Sequence, residues 1–215
     1  MREKIIAAVQ KKKIVAIVRG LEGESCIKLA QALYEGGVES IEVTFNMKRP
    51  DAFHVTADAI RGIIREMGGC MNVGAGTVTS VELVERAYAA GAQFIVSPDT
   101  NAAVIQRTRE LGMVSMPGAM TPSEAMAAHT AGADFVKLFP AGALGAGYIK
   151  AVRAPLSHIA FLAVGGINEN NAKSFIEAGC VGLGVGGNLV NKAWIEAGEF
   201  NKIAALARTF VENIQ

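Results

Sequence analysis

Four stretches of this 215-residue chain repeat one pattern: EGGVESIEVTF at 35–45, AAGAQFIVSPD at 89–99, TAGADFVKLFP at 130–140 and EAGCVGLGVGG at 177–187. Each reads as a helix closed by glycine, which tolerates the left-handed conformation of a last turn, followed at once by a short apolar strand. Extending the pattern along the chain gives eight strands, near Ile14–Arg19, Ser40–Phe45, Asn72–Val78, Phe94–Pro98, Val114–Gly118, Phe135–Pro140, Ala160–Gly166 and Gly182–Gly187. Helical patterns lie between them: Cys26, Leu29, Ala30 and Leu33 recur at i, i+3, i+4 and i+7 and so line one face. Strands that are apolar throughout belong to a parallel sheet covered by helices. Eight such units close most naturally into an α/β fold of the (β/α)8 TIM-barrel type, one domain over residues 1–215, with a doubly wound open sheet as the runner-up. MREKIIAAVQKKK at the start is expected to be a capping helix that closes the N-terminal end of the barrel.

Helix starts carry their own marks. Thr79 with Glu82 and Thr121 with Glu124 have capping-box spacing, the second with Pro122 at the first helical position, and Asn168 is placed to cap the helix after AVGG.

Composition narrows the class of partner. A formal net charge of +1, spread without a basic face or polybasic block, leaves no electrostatic footprint for nucleic acid or an anionic membrane, so the expected partner is a small molecule. The apolar runs fall far short of the ~20 residues that span a bilayer, and the first residues lack the apolar core of a secretory signal; a cytoplasmic protein is expected. Cys26, Cys70 and Cys180 are widely spaced in apolar or helical contexts and read as buried free thiols. His54, His129 and His158 are equally scattered, with no ligand spacing for a metal.

In a barrel of this kind the loops after the strands converge on one mouth, so charges within strands are informative. Arg19 ends the first predicted strand, Glu42 lies inside the second and Lys137 inside the sixth. One reading makes Glu42 and Lys137 a buried structural ion pair, a weak device for stability because desolvating both charges costs several kcal/mol. The other is catalytic. Burial lowers the pKa of Lys137 and keeps part of its amine neutral and nucleophilic toward a carbonyl, while Glu42 shuttles protons.

The last two strands end in paired glycines, Gly165 and Gly166 in LAVGGIN, Gly186 and Gly187 in LGVGGNL. Glycines there let backbone N–H groups approach an anion closely at the usual place for a barrel phosphate site; they also suit tight strand-to-helix turns. NVGAGTVTS adds a third glycine-rich strand end with the hydroxyl of Thr77 at the mouth, although a close backbone approach explains it as well.

Together IVAIVRG, GGVESIEVTF, VGAGTVTS, AGAQFIVSPDTN, MPGAMTPSE, FVKLFPAG and AVGGIN, in order over residues 14–190, resemble the 2-keto-3-deoxy-6-phosphogluconate / 4-hydroxy-2-oxoglutarate aldolase family. The resemblance implies a metal-free class I aldolase on a (β/α)8 barrel, working without a cofactor and usually trimeric. Such an enzyme splits a 2-keto-4-hydroxy acid into pyruvate and an aldehyde. By position, it makes Lys137 the Schiff-base lysine, Glu42 the general acid/base, and Arg19 and Thr77 the carboxylate-binding residues. Where some members carry an arginine four residues after the glutamate, this chain has Asn46. Where the family often shows threonine and serine at the phosphate loops, it has Val164, and Gly187 followed by Asn188. Gly165, Gly166, Gly186, Gly187 and Asn188 are then left to hold a phosphate through backbone amides and the Asn188 side chain. Two other classes remain open from the residues alone: a sugar-phosphate isomerase or epimerase, which needs no imine lysine, and a non-catalytic barrel scaffold.

Overall fold

Parallel strands need long crossovers, and here every crossover is helical. The computed structural model describes residues 1–215. Its strands are β1 (Ile14–Val18), β2 (Ser40–Thr44), β3 (Asn72–Gly76), β4 (Phe94–Val96), β5 (Val114–Met116), β6 (Gly118–Ala119), β7 (Val136–Leu138), β8 (Phe161–Val164) and β9 (Gly182–Val185). Every pairing is parallel, in the order β5-β4-β3-β2-β1-β9-β8-β7-β6. The helices α1 (Arg2–Lys12), α2 (Gly23–Glu35), α3 (Phe53–Met67), α4 (Val81–Ala89), α5 (Ala102–Glu110), α6 (Pro122–Thr130), α7 (Ala141–Arg153), α8 (Ala172–Glu177), α9 (Lys192–Glu196) and α10 (Phe200–Asn213) alternate with them. None is long and apolar enough to cross a membrane.

Nine strands stand where eight are expected because Pro117, which has no N–H, splits the fifth into β5 and β6. The ladder of β5 runs to β4 and that of β6 to β7, and backbone bonds on both sides draw the ring together. Val114 N donates to Gln93 O at 3.1 Å on one side; on the other Phe135 N donates to Ser115 O at 3.2 Å and Lys137 N to Pro117 O at 2.9 Å. The predicted sixth strand is therefore β7. The strands also stop earlier than expected, as the chain turns outward to form the mouth loops, and this leaves Arg19 and Thr77 beyond the last ladder residues.

The larger part of the core, 56 buried residues, lies between the sheet and its helices. A second cluster of 11 fills the lumen: Val15, Ile17, Phe94, Val96, Val114, Met116, Phe135, Leu162 and Val164 from the sheet, with Ile5 and Val9 from α1. The first helix thus plugs the N-terminal end as expected. The buried Asp134 carboxylate ties it down, accepting from the Arg2 guanidinium, from Arg109 Nη1 at 2.7 Å and from Ser115 N at 2.9 Å.

Local signals mostly hold, with corrections. Thr121 and Glu124 form a reciprocal capping box with Pro122 behind it. The cap of α4 is Ser80, not Thr79; Ser80 Oγ accepts from Leu83 N, because the mouth turn consumes one more residue before the helix begins. Asn168 caps the turn ahead of α8, accepting from Asn170 N and Asn171 N, and the helix itself starts at Ala172. Cys26 and Cys180 are buried, and burial pushes both thiols up to about 12. Cys70 is exposed, contrary to expectation, because it lies past the glycine end of α3.

Candidate active site

Alternation along a strand sends every second side chain into the lumen. In the ladder Ile17 pairs with Glu42 and Glu42 with Gly74, while Lys137 pairs with Leu162, so both charges enter the apolar interior. Glu42 is 2% and Lys137 5% exposed. They share a cavity of about 10 Å³ with Val15, Val96, Met116, Leu162, Val164 and Gly184, roughly the least space that admits one water. No carboxylate oxygen of Glu42 comes within 4.0 Å of the lysine nitrogen, so the two are neighbours across the lumen rather than a contact ion pair. The ammonium end of Lys137 lies 5.0 Å from the ring centroid of Phe139.

Space for the carboxylate is made by a missing side chain. A Cβ on Gly76, at the end of β3, would stand 1.7 Å from Oε1 of Glu42. The glycine-rich NVGAGT therefore serves the close approach considered in the sequence, and what approaches is a side chain rather than backbone.

Burial sets the proton affinities. Desolvation pulls the pKa of Lys137 below the usual lysine value; the negative charge of Glu42 opposes this and Arg19 adds to it. Desolvation likewise raises Glu42 above the usual carboxylate value, against the attraction of Lys137 and Arg19. Both shifts run toward the neutral forms, the direction that makes an amine more nucleophilic and leaves a carboxyl able to give up a proton.

Above this pair opens the mouth. Arg19, exposed on the loop after β1, lines a cavity of about 310 Å³ with Thr44, Asn46, Lys48, Thr77 and Lys192. Thr77 has φ +58°, a left-handed conformation that is an outlier for a β-branched residue and is held only where its surroundings insist on it. Lys48 and Lys192 were not singled out in the sequence. Lys48 lies in the loop after β2 and Lys192 opens α9, neither inside a strand, and only the closure of the ring brings β9 beside β1 and so Lys192 near Arg19.

The glycine pairs differ from each other. Gly165 (φ +90°) and Gly166 (φ +74°) are required by backbone conformation, and the segment after β7 seats on them, with Gly142 N donating to Gly165 O at 2.7 Å. A Cβ on Gly187 would meet nothing within 4 Å, so its own fold does not demand a glycine there. Asn188 Nδ2 donates to Ile167 O at 2.7 Å, stapling the loop after β9 to the loop after β8 and committing one of its two amide hydrogens.

Residues 5–206 match the sequence model of the KDPG and KHG aldolase family. The 2-dehydro-3-deoxy-6-phosphogalactonate aldolase of Escherichia coli (strain K12) is 34% identical over 203 residues, covering 94% of this chain and 96% of that protein. A probable 2-dehydro-3-deoxy-6-phosphogalactonate aldolase of Rhizobium meliloti (strain 1021) is 39% identical over 197 residues, 90% of each chain. The crystal structure of KDPG aldolase from Legionella pneumophila, with pyruvate captured at low pH as a covalent carbinolamine intermediate, superposes with a TM-score of 0.83 at 25% identity, covering 95% of this chain and 97% of that one.

Proposed function

This chain belongs to the KDPG and KHG aldolase family, and from that premise we propose that it is a class I aldolase that cleaves a 2-keto-4-hydroxy acid to pyruvate and an aldehyde through a Schiff base on Lys137. The observation that carries this reading is the burial of one amine and one carboxyl, both biased toward their neutral forms, under a cationic mouth. The carbinolamine in the Legionella structure supports it by analogy.

The neutral Lys137 amine adds to the C2 carbonyl, and Glu42 delivers a proton as the carbinolamine loses water. The cationic imine is an electron sink. Glu42, now a carboxylate, takes the proton of the C4 hydroxyl as the C3–C4 electron pair moves into the imine; the aldehyde leaves and an enamine remains. Protonation at C3 and hydrolysis then release pyruvate and the free amine. One carboxyl serves as acid and base because the steps alternate. Arg19 binds the C1 carboxylate with two parallel hydrogen bonds, assisted by Thr77. Backbone N–H groups of Gly165, Gly166, Gly186 and Gly187, with the free hydrogen of the Asn188 amide, hold the far phosphate.

The substrate is a phosphorylated six-carbon keto acid, 2-keto-3-deoxy-6-phosphogalactonate or its gluconate epimer giving glyceraldehyde 3-phosphate, ahead of 4-hydroxy-2-oxoglutarate giving glyoxylate. Both relatives described above are named for the phosphogalactonate compound, the Rhizobium protein as a probable aldolase of it. Residues 1–215 act as one barrel domain in a cytoplasmic homotrimer, for which sedimentation should give three times the chain mass. Incubation with pyruvate and borohydride tests the chemistry: the reduced adduct should map to the peptide holding Lys137 and vanish in Lys137→Ala. An adduct on another lysine, or none on folded protein, overturns the proposal.

A further inference from the structure

The mouth cavity holds three cations, Arg19, Lys48 and Lys192, and no acidic residue, in a chain whose 21 basic side chains nearly balance its 20 acidic ones. No carboxylate lies within 4.0 Å of any of the three. Elsewhere the lysines and arginines of α2, α3, α4 and α5 are paired with carboxylates, while others such as Lys4, Lys150, Lys173 and Arg208 stand unpaired as well, so what marks the mouth is three unpaired cations lining one cavity. The positive charge at the mouth is thus concentrated and uncompensated.

Lys48 stands on a turn fixed by Asn46, and Lys192 opens α9 behind its Asn191 cap. Asn46 Oδ1 accepts from Lys48 N at 3.1 Å just past β2, and Asn191 Oδ1 accepts from Trp194 N at 3.2 Å, fixing the backbone that carries Lys192. Lys192 also belongs to the segment that begins at Gly186, which folds back on itself with Leu189 N and Val190 N both donating to Gly186 O. The glycine loops supply only backbone and one amide hydrogen to an anion. Formal charge to meet a second anionic group must come from the rim.

We infer that Lys48 and Lys192 form an electrostatic rim that selects keto acids whose far end is a phosphate and speeds their capture, leaving Arg19 to the carboxylate end. This rests on the aldolase reading for its substrate. Like charges gathered around one opening raise the local concentration of an incoming dianion. Because both lysines are exposed, salt screens the effect within about 10 Å at 0.1 M ionic strength.

The test compares pyruvate release from a 2-keto-3-deoxy-6-phospho acid and from the same acid without phosphate, in wild type, Lys48→Gln, Lys192→Gln and Lys192→Arg. At low ionic strength each glutamine variant should lose roughly two- to five-fold in kcat/KM on the phosphorylated acid through KM, as expected for an exposed charge pair. That loss should fade in high salt and be clearly smaller for the unphosphorylated acid, which carries only its carboxylate, and Lys192→Arg should not show it. Equal losses on both acids, or no salt-dependent loss, overturn the rim. Calorimetric titration with inorganic phosphate separates the two proposals. If wild type cleaves no keto acid but both glutamine variants bind phosphate more weakly, the aldolase reading falls and the rim stands; unchanged phosphate binding removes the rim whatever the turnover.

Discussion

Glu42 and Gly76 occupy adjoining space, and the glycine is where the carboxylate sits. Because an added Cβ would overlap Oε1 at 1.7 Å, Gly76→Ala must displace the carboxyl, while the backbone there has no left-handed φ that only glycine favours. The variant should keep its far-UV circular dichroism and lose roughly 10²–10⁴ in kcat, the share a positioned acid/base group supplies. Steady-state pyruvate release checks this, and a kcat within a few-fold of wild type would detach Glu42 from the chemistry. The lysine gives a second prediction. Burial lowers its pKa and the Glu42 charge opposes that, so Glu42→Gln removes the opposing influence and Lys137 should lose its proton at a lower pH than in wild type. Competitive labelling with an amine reagent, read on the Lys137 peptide across pH, should show the midpoint moving down; a move upward means that the Glu42 charge is not what holds the proton on the lysine.

At the level of elements, the barrel divides its labour between its two ends. α1 seals the lumen with Ile5 and Val9, on the side opposite the mouth. Ile5→Ala should lower the unfolding free energy by about 2–5 kcal/mol in urea, the usual cost of a buried large-to-small change. Its kcat should stay near wild type, since the cavity opens away from Lys137; a matching fall in kcat would show the ends to be coupled. The same elements show what a single sequence discloses. The glycine-strand beat and the apolar strands gave the barrel, because helix closure and burial on both faces are local properties of residues such as Gly37, Val38 and Ile41. The Thr121–Glu124 box was legible for the same reason. The break at Pro117 was not, since whether a proline interrupts a ladder depends on which neighbour its N–H would have faced. Nor was the cationic mouth, because Lys48 and Lys192 are 144 positions apart and meet only when β9 closes on β1. Glu42 and Lys137 stood out because a charge in an apolar strand is anomalous without any partner being known.

For the molecule as a whole, the two lumen charges cost stability that the fold must supply elsewhere. Each is desolvated, neither forms a contact ion pair, and the surrounding lumen is hydrocarbon. Replacing buried ionic groups by neutral ones of similar volume is commonly neutral or stabilising by about 1–4 kcal/mol, whereas removing one alone strands its partner. The double variant Glu42→Gln/Lys137→Met should therefore be inactive and at least as stable as wild type in urea at neutral pH. Lys137→Met alone should behave differently. It leaves Glu42 with its pKa raised by burial, and a carboxyl whose folded pKa exceeds its unfolded one contributes stability that is complete below the unfolded value, about 4.5, and is lost as pH rises through the folded value. The single variant should accordingly lose stability as pH rises from acid toward neutral, and the double variant should not show that loss. Urea melts of both across this range decide it. A double variant well below wild type at neutral pH would mean that the charges stabilise the barrel, and the structural reading of Glu42 and Lys137 would replace the catalytic one as the reason they are there.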